Sequence, residues 1–238
     1  MKIRLAAMQP YVFPYIGYFQ LIAEADTFVF LDNVNYIKGG WINRNQIVVN
    51  QKTHFFTIPC EKISQHKKIN QIVLAFPEKE QQRFLKTIEQ AYRKAPFFEQ
   101  IYPELCCWAK KDHSNIAEMA SDSVRWSCNY LGINRTFERG STLQGDSDFK
   151  GPTERMLNLC ALCKSNVYVN MAGGAHLYDS HEFQKKGVHL QFIQPDLKPY
   201  SKGSNLPYFP GMSILDAMMY LNKGKVLALI EKKPVEFK

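Results

Sequence analysis

Three short stretches of this 238-residue chain carry most of the residues that could do chemistry. The first runs from Gln9 to Tyr18 and joins an amide, two prolines, the tyrosines Tyr11, Tyr15 and Tyr18, and Gly17. A helix starting near Tyr15 would offer free backbone N–H groups to an anion. The prolines would restrict the loop, the tyrosines would stack on a flat ring, and Gly17 would let a phosphate approach the backbone. The competing reading packs these aromatics under a sheet edge. The second stretch, Asp32 to Asn45, holds Asn33, Asn35, Tyr36, Lys38, Trp41, Asn43 and Arg44. Asp32 there suits sugar hydroxyls and Lys38 and Arg44 suit phosphate, unless the segment is only a solvated turn. The third contains Gly173 and Gly174 followed by His176, the best-placed general base, since His54 and His189 fall in strand-like runs. Lys94, at a helix end with Tyr92 and Pro96, is within reach of an anion, although a helix carboxyl terminus favours lysine in any case.

Other chemistries lose weight. The chain contains no nucleophile elbow, Walker loop, complete dinucleotide fingerprint, metalloprotease motif or kinase set. Cys160 and Cys163 form one CxxC without a second ligand pair, so no metal is expected, and adjacent Cys106 and Cys107 suit reduced thiols in a cytoplasmic protein better than disulfides. The net charge of +8 points to an anionic partner. Basic residues are scattered rather than massed, which favours a small molecule such as a nucleotide sugar over nucleic acid. No apolar run approaches a membrane span, so membrane insertion is not expected, and no cofactor is implied beyond a nucleotide or nucleotide-linked donor.

The elements that must position these residues alternate. Residues 2 to 8 read as a buried strand, a helix follows from about 15, and 27 to 31 read as a second strand, a βαβ unit with a parallel pair. Strands at 46–49 and 54–58 form a hairpin about a turn at 50–53. Helical spacing at 79–94, 103–111 and 116–131, the last stopped by Gly132, makes a helical insertion at about 79–132. A strand at 135–138, a helix at 152–164, a strand at 167–170, a helix at 179–186 with Asp179 and Glu182 spaced as a capping box, and a strand at 188–193 resume the rhythm. A proline-rich loop at 194–211 precedes a last helix from Ser213 to Tyr220. This predicts one α/β domain over 1–238, an open, mainly parallel, Rossmann-like sheet whose ligand sits beyond the carboxyl ends of its strands.

The strings QPYVFPYIGYFQLI at 9–22, NVNYIKGGWINRNQI after Asp32, AYRKAPFF at 91–98 and SILD at 213–216 resemble the WbqC-like family of bacterial proteins associated with O-antigen and other surface-polysaccharide loci. The resemblance implies an enzyme of surface-polysaccharide biosynthesis, read first as an acyl- or aminoacyl-type transferase acting on a nucleotide-linked amino sugar. Gln9, Tyr11, Tyr15 and Gly17 would then line the donor or nucleotide site, Asp32, Tyr36, Trp41, Asn43 and Arg44 would orient sugar and phosphate, and His176 would move a proton. A fainter similarity is to nucleotidylyltransferase-like α/β proteins, with Ile16, Gly17 and Tyr18 in the place of a histidine and glycine pair. Tyr18 stands where the second histidine belongs, which argues against histidine-assisted adenylyl transfer. Nucleotidyl transfer and noncatalytic binding of a glycan precursor are the alternatives.

Overall fold

The computed structural model describes residues 2–145, 147–203, 206–231 and, for the backbone alone, 235–237. Strand β1 (Arg4–Met8) buries Leu5, Ala6 and Ala7 in succession. That unbroken apolar run requires cover on both faces, as in a parallel sheet. Helix α1 (Ile16–Ala23) leads to β2 (Thr27–Phe30), which pairs parallel with β1, Leu5 opposite Thr27. The hairpin follows as β3 (Arg44–Val49) and β4 (Lys52–Thr57). Its turn is tighter than the spacing predicts, because Asn50 and Gln51 both take positive φ (50° and 61°) and close it in two residues.

The insertion comprises α2 (Glu78–Tyr92), α3 (Phe98–Ala109) and α4 (Ile116–Leu131). Helix α3 begins at Phe98 rather than at Pro103, which lies inside it. Phe98 and Ile101 are buried in the core, and that packing outweighs the proline. Asn115 caps α4 by accepting from the Glu118 N–H, and Gly132 stops it at φ 80°. Strand β5 (Thr136–Arg139) is followed by a short helix the sequence did not reveal, α5 (Gly140–Gln144), then α6 (Pro152–Leu162) and β6 (Val167–Met171). Residues Ala172–Leu177, expected as open loop, form a 3-10 turn. Helix α7 (Ser180–Lys185), capped by the Asp179 carboxylate, precedes β7 (His189–Gln194) and α8 (Ile214–Tyr220). Two further unpredicted elements, α9 (Lys223–Ile230) and β8 (Val235–Phe237), end the chain.

The strands lie in the order β5-β2-β1-β6-β7-β8, the first five parallel and β8 antiparallel to β7. From β1 the chain moves outward through β2 to β5, then crosses back to β6 and continues the other way. The reversal therefore falls between β1 and β6, where open α/β sheets part to leave a crevice. Side-chain alternation divides the core accordingly. Ala6, Phe28, Phe30, Val167 and Val169 face α1, α4, α8, α9 and the rest of the insertion. Leu5, Ala7, Val29 and Tyr168 face α6 and α7. Among the described residues no helix is long and apolar enough to cross a membrane.

Candidate functional site

A cavity of about 720 Å³ opens where β1 and β6 separate, its floor formed by Met8, Gln9, Asn170 and Met171. One wall is the loop after β1. Its backbone takes an uncommon course, with buried Phe13 at φ 41°, a conformation that costs a bulky residue about 1–3 kcal/mol. Groups outside the loop hold it there. The Phe13 N–H donates to Ser123 Oγ at 2.9 Å, Asn45 Nδ2 donates to the Val12 and Phe13 carbonyls at 3.0 and 2.8 Å, and Ser213 Oγ donates to the Phe13 carbonyl at 2.8 Å. The Phe13 ring packs edge-on against Trp108 and Trp126, which ties the loop to the helical insertion.

With its backbone secured elsewhere, the loop turns Tyr11, Tyr15 and Tyr18 toward the cavity. Tyr18 donates to the Gln9 carbonyl at 2.9 Å and Tyr11 to Gln9 Oε1 at 3.4 Å. The first bond holds the Gln9 backbone and the second its side-chain oxygen, with the amide nitrogen free of partners among the described residues. Gly17 serves packing rather than phosphate approach. A Cβ there would stand 2.4 Å from the Tyr15 ring and 2.8 Å from Pro195 Cβ, so its absence is what seats Tyr15.

The facing wall is the start of α6. Gly151 has extended backbone, Pro152 occupies the first turn, and both line the cavity with Arg155. Among the described residues Arg155 is the only charged side chain on the lining. Its guanidinium lies 4.6 Å from the centre of the Phe149 ring and donates to Gln144 Oε1 at 3.3 Å. Burial lowers its pKa, yet an arginine remains cationic at any physiological pH. Helix start and cation together form a corner suited to an anion. Beside the floor, Asn170 Nδ2 donates to the Tyr168 and Tyr178 hydroxyls at 3.0 and 2.7 Å, and this network braces the end of β6.

The rest of the lining is neutral, part aromatic and part aliphatic. Burial pushes the Tyr11 hydroxyl up to about 12, with Tyr15 adding to the effect, and burial raises Tyr15 and Tyr18 as well. All three are hydrogen-bond donors at neutral pH. No carboxylate, histidine, lysine or cysteine lines the cavity among the described residues. The arrangement can stack a ring, donate hydrogen bonds and hold one anionic group, but its side chains offer no group that titrates near neutrality.

Of the residues predicted from sequence, Gln9, Tyr11, Tyr15, Tyr18, Trp41, Gly173 and Gly174 meet at this cavity. The others are engaged elsewhere. Asp32 is buried and accepts from the Ser141 N–H at 2.8 Å and from Ser141 Oγ at 2.5 Å, which anchors the start of α5. Tyr36 donates to Asn43 Oδ1 at 2.7 Å while Asn43 Nδ2 donates to the Ile58 carbonyl at 2.9 Å. Arg44 donates to the Gly40 carbonyl at 3.0 Å and to the Gly39 carbonyl, and stacks on Phe55. Lys38 is exposed on the loop, and His176 is exposed outside the cavity. Sequence reasoning missed Arg155 and Asn170, whereas Tyr178 belongs to the stretch that follows the paired glycines. The signal for Arg155 was the Gly-Pro step that opens its helix.

Residues 9–227 match the model of the WbqC-like protein family, a span that begins at the cavity's own Gln9. An uncharacterized protein of Mycobacterium tuberculosis (strain ATCC 25618 / H37Rv), Rv1507c, is 27% identical over 220 residues, covering 90% of this chain and 92% of that one. No solved structure matches the chain significantly. On the extent of the family match, the chain belongs to the WbqC-like protein family.

Proposed function

We propose that this cavity binds a nucleotide-linked amino sugar and that the chain is a transferase of the acyl or aminoacyl type in surface-polysaccharide biosynthesis. The polysaccharide setting follows from the family resemblance. The observation that carries the reading is the pairing of a neutral aromatic wall with one cationic corner at the point where strand order reverses. In this reading the nucleobase stacks among Tyr11, Tyr15 and Trp41, and the diphosphate meets the start of α6 and Arg155. The sugar amine then attacks the carbonyl of an acyl donor. A C–N bond forms, the bond to the leaving group breaks, and the amine proton passes to the leaving group or water. The Gln9 amide and the Tyr15 hydroxyl are donors available to the developing oxyanion. Acceleration would come from orientation, since the lining supplies no general base of its own.

That last feature also favours a second reading, a noncatalytic module that presents the nucleotide sugar to a partner enzyme. Calorimetric titration with nucleotide sugars, followed by mass analysis of products formed with acyl and aminoacyl donors, separates the two. A product heavier by the acyl group supports the transferase. Binding without turnover across donors supports the module, and no binding of any nucleotide sugar removes both.

A further inference from the structure

The first cavity leaves two sequence motifs unused, the stretch 91–98 with Lys94 and the stretch 213–216. Residues of 91–98 line a second cavity of about 910 Å³, which shares no lining residue with the first, and Asp216 of 213–216 pairs with Lys202 on its wall. Lys86, Arg93 and Lys94 reach it from the end of α2, and Lys202 reaches it from the proline-rich loop. The three cations from α2 are exposed and have no ion-pair partner among the described residues. Among the described residues Glu89 is the only carboxylate on the lining.

Lys202 differs from the others. Its side chain is only 2% exposed, its ammonium is paired with the fully buried Asp216, and it lies 5.6 and 5.5 Å from the ring centres of Tyr200 and Tyr220. The Asp216 carboxylate also accepts from Tyr92 at 3.1 Å and from Tyr200 at 2.5 Å. Removing such a pair from water is costly and returns little net stability compared with apolar packing. Its yield here is a rigid wall, since the ammonium itself is buried against Asp216 and out of reach of a ligand. Complementing the carboxyl end of α2 accounts for Arg93 and Lys94 taken singly. It does not account for Lys86, which stands further up the helix on the same hollow.

The geometry points to a second binding site, for a phosphate-bearing ligand such as a phosphomonoester or diphosphate, with the exposed Lys86, Arg93 and Lys94 as its cations and the buried Lys202–Asp216 pair as its support. Tyr220 and Leu206 supply the apolar surface for the remainder of the ligand. The test is calorimetric titration of the full chain with inorganic pyrophosphate at low salt. Binding that survives Arg155→Gln, yet weakens about tenfold or more in the double variant Arg93→Ala, Lys94→Ala at unchanged Tm, supports the site. Absence of binding, an unaltered affinity in the double variant, or loss of all binding in Arg155→Gln overturns it. Co-sedimentation with vesicles of anionic phospholipid forms the second arm. Vesicle binding that requires Arg93 and Lys94, without pyrophosphate binding, assigns the cations to a lipid surface and likewise overturns the proposal.

Discussion

The loops after β1 and β2 are both rich in polar and aromatic residues, but they hold their shape in opposite ways. The loop after β1 is fastened from outside, by Asn45, Ser123 and Ser213, and so its own tyrosines are left to face the cavity. The loop after β2 also takes backbone bonds from Lys67, Ile69 and Asn70, but it spends its own side chains on its shape. Tyr36 bonds Asn43, Asn43 bonds the Ile58 carbonyl just past β4, and Arg44 wraps the carbonyls of Gly39 and Gly40. Its polar groups are consumed as scaffold, while exposed Ile37 and Trp41 reach the cavity rim. A polar loop is thus available for ligand only where its own side chains are not spent on the scaffold.

Substitutions can break this contrast. Asn45→Ala takes the side-chain donor from the Val12 carbonyl and leaves the Phe13 carbonyl to Ser213 alone, and unfolding free energy should fall by about 3 kcal/mol in a denaturant titration. Asn43→Ala should cost about 2 kcal/mol by the same measurement, with nucleotide-sugar affinity within twofold of the parent. Arg155→Gln should do the reverse, weakening a nucleotide sugar about tenfold in calorimetry with little change in Tm. Arg44→Gln, its counterpart on the scaffold loop, should leave affinity unaltered. If Arg44→Gln weakens the ligand and Arg155→Gln does not, the assignment of roles to the two regions is inverted.

The smallest effect concerns pH. Since no side chain on the lining titrates near neutrality, affinity should be flat from about pH 6 to 9 apart from ionisation of the ligand itself. Tyr11 makes the alkaline side specific. Its folded pKa, about 12, lies above the unfolded value of 10.0, so the unfolded chain loses this proton first. Stability is full below pH 10 and declines as pH rises toward 12. Tyr11→Phe should remove part of that decline, read from the alkaline midpoint of thermal unfolding scans.

The strand and helix pattern was legible because each buried segment carries its period: β1 as an unbroken apolar run, α4 as residues spaced four apart between Asn115 and Gly132. The short α5 escaped because its start is held by distant Asp32 through Ser141, a long-range bond that no local pattern announces. Helix α3 was misplaced because Pro103 reads locally as a start, whereas burial of Phe98 and Ile101 decides the matter. At the site, sheet topology made the first loop and the paired glycines legible. Residue type alone misdirected Asp32, Asn43 and Arg44, since a charge or amide in a loop looks the same whether it serves a ligand or a carbonyl. Arg155 lay one element beyond the segments weighed.

The central claim is that ligand sits between the loop after β1 and the start of α6. Amide hydrogen exchange of the full chain, with and without a nucleoside diphosphate sugar at saturating concentration, tests it most directly. Slowed exchange at residues 151–154 together with 9–18, and none confined to 38–41, is the predicted result. Protection restricted to the loop after β2, or absent from the start of α6 although the ligand is bound, contradicts the account.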